Sequence, residues 1–315
     1  MGPEPIATTG RGCGQRTSWG GRNRHNDGVL FTTADAQALG ISRGVLRGTR
    51  YRRVLGPVYV DGTVAVTPRL QAEAALLMTP GAVASHATAL SLWTANDRAD
   101  DVVHVTVQRD PRLTLPRVSG LRVHEVQHLD RALRDGLPLT PPERTFLDLA
   151  PYCDLTKLVA AGDSLVRRTD VEPLHLIEAT AAAIGVRGVR LAREAAALVR
   201  SGVDSPMESL LRLHIVLGGL PEPRIGYVIT DTAGGWLARP DLSYPEVKLA
   251  IEYDGRHHLV DVRQWRQDIR RRENLEREGW LVRVFTAYDL LNIPHTVVAR
   301  IAEDLHIRHH PHLAA

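Results

Sequence analysis

The tightest constraint in this chain is a short run near its C-terminal end, Lys248-Leu249-Ala250-Ile251-Glu252-Tyr253. It is mostly apolar with no alternation, the pattern of a strand covered on both faces at the centre of a sheet. A carboxylate closes it, and a Glu at the end of such a strand is costly to bury without a cation or a partner. The flanking segments supply the rest of an α/β core. Ser205-Pro206-Met207-Glu208 opens a helix, with Ser205 as cap, Pro206 in the first turn and Glu208 at capping-box spacing, and Gly218-Gly219 ends it. Arg224–Thr230 and Trp236–Leu242 read as strands around a turn at Asp231–Gly235, Arg263–Glu278 as a charged helix and Trp280–Phe285 as another apolar strand. A last helix begins at Tyr288–Leu291.

Acids fall at selected places in that order: Glu208 on the first helix, Asp241 on the second strand and Glu252 at the end of the third. Asp241 and Glu252 stand on segments joined by a turn containing Pro245, and antiparallel neighbours bring such carboxylates together. Hard divalent cations are held by oxygen clusters of this kind, and a Mg²⁺ (or Mn²⁺) there generates hydroxide and neutralises charge on a scissile phosphate. The alternative is that Glu252 pairs with Arg271 or Arg283, and that Asp254-Gly255 is only a turn dipeptide.

Glu208, Pro240-Asp241, Ile251-Glu252-Tyr253-Asp254-Gly255 with His258, Asp268 with Arg271 and Leu275, and Gly279–Phe285 occur in one order across Ser205–Leu290. This stretch resembles the restriction-endonuclease-like superfamily, whose core motif is PD…(D/E)xK, and within it the domains related to very-short-patch-repair endonucleases. The resemblance implies a restriction-endonuclease-like α/β core in which Asp241 and Glu252 are the metal carboxylates and Glu208 the outer carboxylate. Asp254 stands where the wider superfamily has Lys. In the related branch a downstream His follows, here His258, as acid or base, and Arg271 contacts phosphate or braces the carboxylates.

The formal charge, +3, is unevenly spread. Residues 1–60 hold nine Arg against three acids, a local +6, so the remainder sums to −3. Residues 1–26 lack apolar periodicity and read as a disordered basic tail. From Asp27, Val29, Leu30, Ala34, Ala38 and Leu39 recur at helical spacing behind the cap candidates Thr32 and Thr33, and Gly40 stops the helix. Ser42 caps a second short helix, Arg43–Arg47, and Tyr51–Val60 reads as a hairpin about Gly56-Pro57. Helix, turn, helix and hairpin make a winged helix over 27–63. Arg43 and Arg47 share a face, and Arg50, Arg52 and Arg53 crowd the wing, where a groove-reading helix and a backbone-contacting wing need cations. A solvated basic face is the plainer alternative. Ala34–Gly40, Ser42–Arg47 and Arg52–Tyr59 resemble the winged-helix domain of AbiEi-type antitoxins of type IV toxin–antitoxin systems, which implies operator-like DNA binding and, with it, a cognate toxin or self-association.

Residues 64–200 read as a mixed α+β region. Its helices fall at 68–80, 85–92 (capped by Ser85), 141–149, 154–166, 172–184 and 189–199, and its strands at 102–107 and 121–126. Ser85–Ala89 and Thr140–Thr145 resemble the segment that follows the winged helix in AbiEi-type proteins. His86, His104, His124 and His128 are scattered and read as ordinary histidines, with no ligand spacing on one element. The tail 306–315 is rich in His.

The expectation is therefore a multidomain α+β / α/β chain: winged helix (27–63), α+β middle (64–200), nuclease-like core with a mixed central sheet (201–305) and His-rich tail. No apolar run reaches the ~18 residues of a membrane helix, and two Cys are too few for a disulfide framework, so a cytoplasmic protein is expected. The two functional readings are a DNA-binding, Mg²⁺-dependent endonuclease and a non-catalytic antitoxin-type regulator with a degenerate nuclease fold.

Overall fold

The computed structural model describes residues 29–96, 101–255 and 262–309. The chain is α+β and forms two compact units: one of the residues up to Arg52 together with Tyr59–Ala65, and one of Arg53–Val58 with everything from Val66 onward. No helix among the described residues is long and apolar enough to cross a membrane.

The N-terminal segment starts with β1 (Phe31–Thr32) and α1 (Thr33–Ala38). Thr32 caps α1 by accepting from the Asp35 N–H while Asp35 reaches back to the Thr32 N–H, so two orphan donors are satisfied reciprocally. Gly40, at φ +72°, turns the chain into α2 (Arg43–Leu46), which Ser42 caps. The strands β2 (Tyr51–Leu55) and β3 (Val58–Asp61) follow, and the three-stranded sheet has the order β1-β3-β2. Ala36, Leu46 and Tyr59 form the small core of the first unit, with Phe31 edge-on to Tyr51.

In the second unit, α3 (Pro68–Met78), β4 (Val83–Ala84), α4 (His86–Thr94), β5 (Val103–Gln108), β6 (Leu121–Val126), β7 (Ala132–Arg134) and β8 (Leu137–Leu139) build a five-stranded sheet of order β6-β5-β4-β8-β7. Ser85 occupies the N-cap position of α4 but makes no side-chain cap bond: its hydroxyl is bonded to His86 Nδ1 at 2.9 Å instead. Four helices then pack together: α5 (Pro142–Leu149), α6 (Leu155–Arg168), α7 (Pro173–Ala182) and α8 (Val189–Leu198), around Phe146, Leu158, Leu165, Leu176 and Ala195.

α9 (Pro206–Leu217) joins this bundle to the last sheet. Its Leu213 is buried with the helices, whereas Leu211 and Ile215 lie under the sheet. The fully buried Arg212 of α9 contacts Asp163 of α6 at 3.3 Å, Glu222 at 3.2 Å and the Leu198 carbonyl of α8 at 2.6 Å. A guanidinium inside a helix bundle is tolerated because its charge is paired and both terminal nitrogens are engaged, although its buried Nε has no partner among the described residues.

The strands expected at Arg224–Thr230 and Trp236–Leu242 each break in two. The first gives β9 (Arg224–Ile225) and β10 (Ile229–Thr230), the second β11 (Trp236–Ala238) and β12 (Leu242–Tyr244). β10 and β11 form a separate hairpin. The breaks fall at Gly226, with φ +56°, and at Arg239-Pro240, where Pro has no N–H for a ladder. The main sheet is β14-β13-β12-β9, with β13 (Leu249–Asp254) at its centre as expected, α10 (Val262–Arg277) as crossover and β14 (Leu281–Thr286) parallel to β13. β12 runs antiparallel to β13, so the sheet is mixed. Leu249 and Ile251 face α9 and the C-terminal helices α11 (Ala287–Asn292) and α12 (Pro294–His309), while Ala250 packs with Leu275 and Trp280 on the opposite face. That two-sided burial is why the strand has no polar alternation. The helix α12 includes the first four residues of the segment expected as a His-rich tail.

Candidate active site

The register β12–β13 pairs Leu242 with Ile251 and Tyr244 with Leu249. Continued by one step, it sets Asp241 opposite Glu252, and directly opposed residues share a face and near contact. Asp241 is locked there by two main-chain bonds: its carbonyl accepts from Gly226 N–H at 3.0 Å and its Oδ2 from Tyr253 N–H at 2.7 Å. Gly226 suits this corner because its φ of +56° lies in the left-handed region that side-chain-bearing residues rarely adopt.

Glu208 sits in the first turn of α9, where Ser205 caps by accepting from its N–H at 3.2 Å. Its Oε2 accepts from the N–H of Asp204, one residue before the cap, at 2.9 Å. Burial, and after it the negative charges of Glu208, Glu252 and Asp204, push the Asp241 carboxyl up to about 6 against a hydrogen bond donated by Tyr253. Three acids thus act on Asp241 here. Asp204 carries no motif of its own, and only its position beside the capped helix start could have marked it.

Glu252 Oε2 accepts from Arg271 Nη2 of α10 at 2.9 Å, while its Oε1 is buried with no partner among the described residues. Arg283, the other partner considered, donates through Nε and Nη2 to the two Asp304 oxygens, each at 2.6 Å. Glu252, Asp254, Gly255, Arg271, Arg272 and Val284 line a cavity of about 240 Å³. Asp254 ends β13 and therefore reaches the same cavity as Glu252. His258 lies outside the described residues. No lysine replaces the one missing at Asp254: Lys157 pairs with Asp154 at 3.0 Å and Lys248 donates to the Glu278 carbonyl at 2.8 Å.

An oxygen-seeking divalent ion fits this chemistry in part. The orphaned Glu252 Oε1 beside a neighbouring carboxylate is the arrangement a cation relieves, and Mg²⁺ commonly takes one or two carboxylates and completes its shell with water. Glu208, Asp241 and Glu252 do not, however, bring three ligand oxygens within 4.8 Å of one another. The three carboxylates therefore do not form one closed three-oxygen cage, although Glu208 and Glu252 both act on the charge of Asp241.

The five N-terminal arginines are all exposed. Arg43 opens α2 and Arg47 caps its C-terminus; Arg50 lies over the Tyr51 ring at 5.5 Å; Arg52 and Arg53 stand on β2.

Three of the four histidines read as scattered come together. His86, His104 and His124 each place a ring nitrogen within 4.8 Å of the others, the one such group of three His, Cys, Asp or Glu among the described residues. The sequence distances of 18 and 20 hid this, because it is the parallel β5–β6 register, His104 opposite Arg122 and Thr106 opposite His124, that sets two of the rings side by side.

No family model matches the chain. Two uncharacterized proteins of Mycobacterium tuberculosis, from strains CDC 1551 and H37Rv, are each 28% identical to it over 224 residues, 71% of this chain and 81% of theirs. The crystal structure of the RV2827C protein from Mycobacterium tuberculosis is similar with a TM-score of 0.36 and 16% identity, over 64% of this chain and 84% of that one.

Proposed function

We propose that this protein binds DNA through its N-terminal segment and hydrolyses phosphodiester bonds with its C-terminal sheet, in the manner of a metal-dependent endonuclease. The observation that supports this most is that Glu252 acts on the charge of Asp241 beside the β12–β13 pairing, with a buried Glu252 oxygen that has no partner among the described residues. A Mg²⁺ or Mn²⁺ held by these two side chains would supply a hydroxide and neutralise charge on the phosphate. Arg271 holds Glu252 in place and presents a cation beside it in the cavity, Glu208 adds negative charge that favours the cation, and Gly226 and Tyr253 fix Asp241 through the main chain.

A second reading is an antitoxin-type DNA-binding regulator whose nuclease fold is degenerate. Asp254 at the end of β13, with no lysine in the cavity, favours it. The two readings separate in one assay. With Mg²⁺ or Mn²⁺, the purified chain should nick or cut plasmid DNA, and Asp241→Ala should abolish this while the protein stays folded. Absence of cleavage on duplex, single-stranded and supercoiled DNA, with binding intact, leaves the regulator.

A further inference from the structure

The triad of histidines lies outside the acidic site, on α4, β5 and β6. His86 is at the first position of α4, and His104 and His124 are on neighbouring parallel strands. His104 Nδ1 and His124 Nε2 stand 3.0 Å apart. Two nitrogens bound at about 2.0–2.1 Å to one tetrahedral zinc stand about 3.3 Å apart, so this pair is already near ligating separation. The His86 ring stacks on His124 with centroids 3.8 Å apart.

The frame around the rings is rigid. Ser85 N–H donates to the His104 carbonyl at 3.0 Å, and His104 N–H donates to Thr88 Oγ1 at 2.9 Å, so the start of α4 is tied to β5 on both sides of His104. His86 Nδ1 is engaged by Ser85 Oγ, which leaves its Nε2 as the ligand nitrogen; a bond of this kind to the second ring nitrogen is what orients metal-bound imidazoles. His86 also holds a left-handed backbone, φ +53°, which is disfavoured for a non-glycine residue. Strain of this sort persists where surrounding structure imposes it, and it collects at ligand sites. Three imidazole nitrogens with no thiolate or carboxylate among them suit zinc rather than magnesium.

We infer that His86, His104 and His124 form a zinc site of three imidazole nitrogens with a fourth position left open beside Tyr152. The Tyr152 ring stands edge-on to all three, at 5.6, 6.3 and 6.4 Å, and is half exposed, so solvent reaches this side. Three protein ligands and an exchangeable fourth are the pattern of zinc that binds water or a small donor.

The test uses the full chain with His306, His309, His310 and His312 replaced by Ala, which removes the competing C-terminal histidines. After dialysis against zinc and then metal-free buffer, the protein should retain one zinc per chain by elemental analysis. Loading with Co²⁺ should give the visible absorption of a four-coordinate ion. His104→Gln and His124→Gln should each lower zinc affinity by more than about tenfold against a chromophoric chelator, and Ser85→Ala by about tenfold with the triad intact. Chelator-treated variants should unfold at the temperature of the chelator-treated parent, which separates loss of metal from loss of fold. Should a triad variant not fold, the parent decides: absence of retained zinc, or of the cobalt spectrum, overturns the site. Zinc bound as tightly by a folded His124→Gln variant overturns it equally.

Discussion

Replacing Asp241 by Asn should stabilise the metal-free protein above pH 6 while abolishing its metal response. The carboxyl rises from 3.8 to about 6, chiefly through burial and then through the charges of Glu208, Glu252 and Asp204. Two units at 1.36 kcal/mol each make the ionised native form about 3 kcal/mol less favourable than the ionised unfolded form. The sign follows from linkage. Between roughly pH 4 and 6 the native state binds the proton that the unfolded state has lost, so this group's contribution is fully present below about pH 4, falls through that window and is gone above it. Asn carries no charge and still accepts from Tyr253 N–H through its carbonyl oxygen. Partial exposure and the unfolded reference reduce the gain to about 1–3 kcal/mol at pH 7.5, with none at pH 4. Urea denaturation in chelator from pH 4 to 8, parent against Asp241→Asn, reads this difference directly. Adding Mg²⁺ or Mn²⁺ should then raise the stability of the parent alone. A variant less stable than the parent by more than about 1 kcal/mol at pH 7.5 would refute the reasoning, because it would make Asp241 a structural anchor rather than a strained ligand.

Two further outcomes follow from charges elsewhere. Arg212→Met strands Asp163 in the helix bundle and should destabilise the second unit by about 3–5 kcal/mol, measured by chemical denaturation; a loss under about 1 kcal/mol would show that the buried pair is dispensable. Neutralising Arg43, Arg47 and Arg52 together should weaken DNA binding and lower the slope of log affinity against log salt by up to about 0.9 for each phosphate that is no longer neutralised, in a fluorescence-anisotropy titration at several salt concentrations. Unchanged binding would remove the N-terminal segment as the DNA-contacting element.

The features legible in the residues alone are local. The caps Thr32, Ser42 and Ser205, the stop at Gly40 and the apolar centre of β13 are all decided by residues within a turn or along one strand, and each is where the pattern placed it. The mixed sheet was also legible, since an apolar strand, a long amphipathic helix and a second apolar strand require a crossover. Continuous strands at 224–230 and 236–242 were not what formed, because breaks at Gly226 and Pro240 let the chain divide between two sheets. The partners of the candidate groups were decided by tertiary structure alone. Asp241 meets Glu252 through a register, Glu252 takes Arg271 and not Arg283 because α10 packs over that face, and Asp204 joins them from the segment just before α9, distant in sequence. The three histidines are the plainest case. Nothing within four residues of any of them marks a site, and only the packing of α4 on two parallel strands, whose pairing depends on contacts across the chain, brings their nitrogens to one point.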